Sequence, residues 1–259
     1  MEYFVNNFQV FLLVMTRMTS MFLVAPFFSS DLIPFRTRAL LGFLISMIIF
    51  PMVAKSGYGE AQSMGIYAVF VLREIAVGLF VGFLASIIFT AFQLSGQYFA
   101  VQIGFGMSEV VDPLAQISIP VIGQIKNMIG LLVFLYINGH HYMVRAIYRS
   151  YEYAPVFPIS GSGADFFTKH LVYSFSGMFV VAFKIALPVV ATVFLISVAM
   201  GVLSKAAPQM NVMMLGFPVK IMVAFAMLAL LSPLIIRIMK VSLERTFTFV
   251  WEVIKAWPK

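Results

Sequence analysis

The chain has 259 residues, of which 62% are apolar and only 10% are charged, and its mean hydropathy is +1.00. Soluble domains carry roughly 25% charged residues, so this composition excludes an ordinary soluble domain and predicts a polytopic membrane protein. The chain contains no cysteine, which excludes disulfides and thiolate metal sites. The net charge of +7 comes from scattered Lys and Arg residues. We attribute it to cytoplasmic loops and expect no nucleic acid partner.

Six apolar stretches meet or approach the roughly 20 residues that a helix needs to cross the ~30 Å hydrocarbon layer. In chain order they are Phe8–Phe28, Ala39–Ala54, Ile66–Phe92, Ile119–Asn138, Leu171–Met200 and Met213–Met239. The second is short, whereas the third and fifth are long enough to require tilting, kinking or extension beyond the bilayer. Pro188 predicts a kink in the fifth. We therefore predict an all-α, polytopic membrane protein of about six hydrophobic helices, forming a single membrane domain over residues 1–259.

Turn residues mark the connections between these stretches. The Asn138-Gly139 pair ends the fourth stretch, and Pro208, Gly216 and Pro218 predict a loop before the last helix. The carboxyl-terminal tail places both tryptophans of the chain among charged residues. This amphipathic pattern is typical of a helix at the lipid interface.

Five ionisable residues fall within the apolar stretches, namely Arg17, Arg73, Glu74, Lys126 and Lys184. Each would cost ~2.5–3.5 kcal/mol at a bilayer centre, so such residues usually face a bundle interior or a wet cavity. Three of them, Arg17, Arg73 and Lys126, have a second interpretation, in which they lie near helix ends and extend to the interface. Lys184 sits near the middle of its stretch. Because adjacent residues on a helix do not face each other, Arg73 and Glu74 are expected to meet separate partners, in this chain or another.

The segment 96–123 is interrupted by glycines and prolines that predict a break in the helix, namely Gly104, Gly106, Pro113 and Pro120. One interpretation is an ordinary surface loop between two spans. The other is a re-entrant segment that constricts a conduit, since non-helical backbone at membrane depth is tolerated where it lines a cavity or is buried in protein. In the second interpretation, Phe105, Met107 and Val110 would seal the conduit by excluding water.

Three sequence blocks carry a resemblance to a known family. They are Val111-Asp112-Pro113 with Ile119-Pro120-Val121, Phe134–His140 (FLYINGH), and Ala207–Asn211 (APQMN) with Gly216-Phe217-Pro218. In order and spacing they resemble the VDP…PV, FL–x–x–NGH and APQ–x–N…GFP blocks of the FliR family over nearly the whole chain. The motif residues that we single out are Pro120, Asn138, Gly139, His140, Pro208, Asn211, Gly216 and Pro218.

The resemblance implies a structural subunit of the flagellar type III secretion export gate, which forms the conduit for flagellar protein export across the bacterial inner membrane. It implies FliP and FliQ as partners in a hetero-oligomeric helical assembly within the flagellar basal body. FlhB and FlhA would lie nearby, and unfolded flagellar export substrates and membrane lipid would also contact the protein. It further implies FliP-like helices over residues 1–170 and a FliQ-like helical hairpin with a basic tail over residues 171–259.

The resemblance also implies that the segment 104–123 forms a plug inside the closed pore. Its plug residues are Gly104, Phe105, Gly106, Met107, Val110, Val111, Asp112 and Pro113. Met107 and Val110 occupy places where relatives often carry bulkier aromatic residues. Which side chains make the tightest seal is therefore left open.

Two other classes of function compete with this one. The chain carries no nucleophile elbow, metal motif or phosphate-binding loop, so we expect neither an enzyme nor a cofactor. A proton-coupled transporter of ions or small molecules is the stronger alternative, with Glu109, Asp112 and Lys184 as its site. However, no pair of corresponding broken segments marks the two inverted halves that are common in transporters.

Overall fold

The computed structural model describes residues 2–30, 33–55, 63–104, 121–154, 161–209 and 212–258. The described residues form α-helices and no strand, which confirms the all-α prediction. The helices are α1 Glu2–Val24, α2 Phe35–Ala54, α3 Met64–Ile103, α4 Val121–Tyr136, α5 Gly139–Tyr153, α6 Gly161–Ala206 and α7 Val212–Lys255.

Five of the described helices, α1, α2, α3, α6 and α7, are long and apolar enough to cross a membrane. A sixth candidate is the pair α4 and α5, which is bent by 68° at a short break. This count confirms a multi-pass membrane protein. The helices α3, α6 and α7 have 40, 46 and 44 residues. At 1.5 Å per residue each is about twice as long as the hydrocarbon layer is thick.

One local prediction was wrong, and one helix was not predicted. Gly216 and Pro218 do not lie in a loop, because α7 begins at Val212 and continues through both residues. Proline is tolerated there because a membrane helix can satisfy the freed carbonyl in other ways. Pro208 does lie in the turn between α6 and α7. The helix α5 was not predicted, because its sequence alternates charged and apolar residues and lacks an apolar run.

The chain forms two compact units. The first contains residues 1–87, 134–175 and 243–259, and the second contains residues 88–133 and 176–242. The long helices α3, α6 and α7 each contribute a part to both units.

In the first unit, α3 crosses α1 at close range. Gly78 faces the backbone of α1, and a Cβ atom there would overlap the Ser20 side chain and the Arg17 carbonyl. One turn later, a Cβ atom at Gly82 would lie 2.9 Å from the Met21 carbonyl oxygen. The two glycines, four residues apart on one face, therefore permit the backbones of α1 and α3 to approach.

The carboxyl-terminal tail ends inside the first unit. Trp257 is only 4% exposed and packs edge-to-face against Phe80 and Phe167. This burial differs from the sequence prediction, which placed both tryptophans at the lipid interface. Trp251, in the last turns of α7, is only partly buried.

The second unit has a core of residues from α3, α4, α6 and α7, namely Phe99, Ile103, Ile122, Val189, Val193 and Ala224. The helices α3 and α4 touch through glycines, because a Cβ atom at Gly96 would overlap the backbone of Gly123. Val189 and Val193 of α6 pack in the same cluster as Ala224 of α7. The second unit thus contains a packed pair of helices from the carboxyl-terminal half of the chain.

Candidate functional site

Arg17 and Glu74 form an ion pair inside the first unit. Their side chains are 0% and 1% exposed. Arg17 Nε donates to Glu74 Oε2 at 2.5 Å, and Arg17 Nη2 donates to Glu74 Oε1 at 2.9 Å. This two-bond geometry is the strong arrangement for a guanidinium and a carboxylate. Of the two sequence interpretations, the structure places Arg17 in the interior and not at the interface.

The third nitrogen of Arg17 connects the ion pair to the end of α5. Arg17 Nη1 donates to Ser150 Oγ at 2.8 Å and to the Ala154 carbonyl oxygen at 3.3 Å. The guanidinium carbon also lies 4.0 Å from the centre of the Tyr151 ring. Ser150 Oγ in turn donates to the Ile147 carbonyl oxygen. The guanidinium nitrogens are therefore all satisfied, and α1, α3 and α5 are tied together at one point.

Neither Ser150, Tyr151 nor Ala154 was predicted from the sequence. Ser150 is 133 residues from Arg17 along the chain, and periodicity within a helix does not say which other helix it meets. Serine is also common on polar helix faces. No sequence signal distinguished Ser150 from its neighbours.

Lys126 lies in α4, in the second unit, and is 4% exposed. Its Nζ atom donates to the carbonyl oxygen and to the hydroxyl oxygen of Ser95 on α3, each at 3.3 Å. The ammonium is also 5.8 Å from the centre of the Phe99 ring. Lys126 thus bonds α4 to α3 about one turn from the Gly96–Gly123 contact, with oxygen atoms of one serine as its acceptors.

The other two candidate cations are not brought into these clusters. Arg73 is half-buried, and its Nε atom has no hydrogen-bond partner among the described residues. Lys184 is exposed in the middle of α6, with no hydrogen bond or ion pair within the part of the chain that the structure describes. Phe183 beside it is 55% exposed, so Lys184 lies on an apolar surface.

Gly104 is the single plug candidate that lies within the described residues, and it ends α3. Its φ of +100° is in the region that favours glycine. A Cβ atom at this position would also lie 3.0 Å from the Phe217 ring. The remaining candidates lie outside the described residues, namely Phe105, Gly106, Met107, Val110, Val111, Asp112, Pro113 and Pro120, and so does Glu109 of the transporter alternative.

The Asn138-Gly139-His140 motif forms the bend between α4 and α5. Asn138 has a left-handed backbone (φ 57°, ψ 36°), and its carbonyl oxygen accepts a hydrogen bond from the His141 N–H. Gly139 packs on the ring of Phe134, where a Cβ atom would overlap that ring. The motif therefore sets the 68° angle between the two helices.

The other motif residues make local contacts within the helices. Gly216 packs against Met200 of α6, and a Cβ atom added at Gly216 would lie 3.4 Å from the Met200 methyl group. Asn211 lies outside the described residues. His140 is half-buried in the first turn of α5, and its ring centre is 4.2 Å from that of His141. Among the described residues, no group of three or more metal-ligating side chains is present.

The fold and these buried, internally bonded charges define a polytopic helical membrane protein whose described polar groups connect helices. The sequence model of the family described as "Bacterial export proteins, family 1" matches residues 8–246. The chain is 34% identical over 231 residues to the "Flagellar biosynthetic protein FliR" of Bacillus subtilis (strain 168), covering 88% of each chain. The protein of the same name from Escherichia coli (strain K12) is 25% identical over 248 residues, covering 93% of this chain and 91% of that one. The chain therefore belongs to the FliR family of bacterial export proteins.

Proposed function

We propose that the protein is a structural subunit of the export gate of the flagellar type III secretion apparatus, where it helps to form the conduit for flagellar proteins. The observation that supports this most is the 34% identity, over 88% of the chain, to a relative named as a flagellar biosynthetic protein. The match covers both compact units, so it does not depend on one motif.

The role that we propose is passive. The Arg17–Glu74 pair, Ser150 and Lys126 bond helix to helix, and each of these groups is buried in its own unit. In this proposal these buried bonds hold a defined arrangement of helices. In this proposal the energy for export comes from other proteins of the apparatus and from the proton gradient.

We further propose that the segment 104–123 closes the conduit at rest. Helix α3 ends at Ile103, Gly104 follows it, and α4 begins at Val121. The two helices that it connects are in backbone contact at Gly96 and Gly123, and Lys126 bonds across the same pair. In this proposal the segment moves aside for export and returns, while the packed pair of α3 and α4 stays in place.

In this proposal the assembly contains FliP and FliQ, with FlhB and FlhA nearby, in the inner membrane part of the basal body. Residues 1–170 act as the FliP-like part and residues 171–259 as the FliQ-like hairpin and tail. The packing of Val189 and Val193 in one cluster with Ala224 supports a hairpin of α6 and α7. Both helices also expose large apolar side chains, including Phe194 and Met222, that lipid or partner helices would cover.

The test is deletion of the gene in its native host, followed by complementation with a tagged copy. We expect the deletion to abolish motility and secretion of flagellar proteins, and the tagged protein to co-purify with FliP and FliQ. Normal secretion in the deletion strain, together with purification as a stable isolated chain, would contradict the proposal and favour the transporter alternative.

A further inference from the structure

A groove of about 440 Å³ lies between α5 and the last turns of α7 in the first unit. The residues on the α5 side recur at helical spacing, with Tyr142, Arg145 and Arg149 on one face. The residues on the α7 side include Phe247 and Trp251. A volume of this size is in the range of small-molecule binding sites, and the export role does not use it.

The walls of the groove are aromatic. The rings of Tyr142 and Phe247 are stacked, with centroids 5.3 Å apart and planes 9° from parallel. Trp251 contacts Tyr153 edge-to-face at 5.7 Å, and the Lys255 ammonium lies 4.9 Å from its ring centre. Tyrosine and tryptophan side chains with nearby cations are typical of the depth at which lipid headgroups lie.

The polar side of the groove is basic. Arg145 is exposed and makes no hydrogen bond or ion pair within the described residues, while Arg149 donates to Glu152 at 2.8 Å on the exposed surface. Glu244 also lines the groove, and it already interacts with another group of the protein. Two arginines and one glutamate give the lining residues a net charge of +1. Glu152 offsets the charge of Arg149, so the attraction for an anion rests mainly on Arg145. A guanidinium without a partner is suited to bind a phosphate group.

We propose that this groove binds the headgroup of an anionic phospholipid, with Arg145 as the principal phosphate donor and Arg149 as a second. The acyl chains would lie along the apolar surface, while Trp251 and Phe247 would contact the glycerol region. Basic pockets between membrane helices bind anionic headgroups in this way. This proposal depends only on the residues of the groove, and it does not depend on whether the chain is an export-gate subunit.

Trp251 provides a reporter inside the proposed site, since the second tryptophan, Trp257, is buried in the core of the same unit. The full-length protein is reconstituted into phosphatidylcholine vesicles that contain either brominated phosphatidylglycerol or brominated phosphatidylcholine. The fluorescence of a Trp251→Phe variant is subtracted as the contribution of Trp257. We expect brominated phosphatidylglycerol to quench Trp251 at a several-fold lower mole fraction.

Variants of the arginines test which side chain selects the lipid. Arg145→Gln should lower the preference for phosphatidylglycerol by about five-fold, and Arg145→Lys, which keeps the charge, should retain most of it. The matched control is Arg237→Gln, an exposed arginine on α7 outside the groove, which should leave the preference unchanged. Unchanged preference in Arg145→Gln, or an equal loss in Arg237→Gln, would overturn the assignment.

A final experiment distinguishes binding of a lipid headgroup from binding of a free anion. Inorganic phosphate and glycerol phosphate are added at constant ionic strength to vesicles that contain brominated phosphatidylglycerol. We expect no relief of quenching, because the acyl chains hold the headgroup at the groove. Relief by millimolar phosphate would overturn the lipid assignment in favour of a soluble anion. Equal quenching by both brominated lipids would overturn the proposal altogether.

Discussion

The buried side chain of Arg17 on α1 bonds both to Glu74 of α3 and to Ser150 of α5. With both side chains buried, loss of the carboxylate charge leaves an uncompensated guanidinium in the interior. We therefore expect Glu74→Gln to destabilise the protein by about 3–5 kcal/mol. The measurement is thermal unfolding of the purified protein in detergent, together with its level in membranes.

The chain offers a matched control for this experiment. Arg149 and Glu152 form an ion pair at 2.8 Å whose side chains are 44% and 46% exposed. Because water and salt screen an exposed pair, Glu152→Gln should leave the unfolding temperature nearly unchanged. The double variant Arg17→Met/Glu74→Met should recover part of the stability lost in Glu74→Gln, since no unpaired charge remains. Equal effects of Glu74→Gln and Glu152→Gln would contradict this account of the pair.

At the scale of helices, the contact of α1 with α3 depends on the absence of a side chain at Gly78. A Cβ atom there would overlap Ser20 and the backbone of Arg17, so Gly78→Ala forces the helices apart at the buried ion pair. We expect a loss of about 1–3 kcal/mol, as for overpacking in a core. Thermal unfolding in detergent measures it.

Gly177 is the matched control, because a Cβ atom at this position in α6 meets nothing within 4 Å. Gly177→Ala removes only the conformational freedom of glycine in a helix and should stabilise the protein by about 0.5–1 kcal/mol. The two identical substitutions should therefore have opposite signs. A stabilising Gly78→Ala would show that α1 and α3 are not in close contact.

Most of the helices could be predicted from the sequence, because an apolar run of about 20 residues is typical of a helix that crosses a membrane. The helix α5, which is amphipathic, and the helical course of Gly216 and Pro218 were not predicted. The ionisable groups Arg17, Glu74 and Lys126 stood out because they are costly in lipid. Their acceptors, such as Ser95 and Ser150, were not predictable, because hydrogen bonds between distant helices depend on how those helices pack.

On the outer surface of the protein, Lys184 lies exposed among apolar side chains in the middle of α6. An ammonium on such a surface is costly in lipid, so we expect a carboxylate of a neighbouring subunit to cover it. Lys184→Glu should reduce co-purification of FliP and FliQ at least several-fold, because it places like charges together. The control is Lys205→Glu, an exposed lysine in the last turn of the same helix. An equal reduction by both variants would show that position 184 has no special partner.

In the proposed function, the chain helps to form a conduit and the segment 104–123 closes it. Ion leakage is measured in cells whose copy of the protein lacks residues 106–111 and is compared with that of cells in which residues 56–61, outside the segment, are deleted. We predict leaky membranes with some flagellar export remaining for the first deletion, and tight membranes for the second. Tight membranes and unaffected export in the first deletion would contradict the claim and identify the segment as a surface connection.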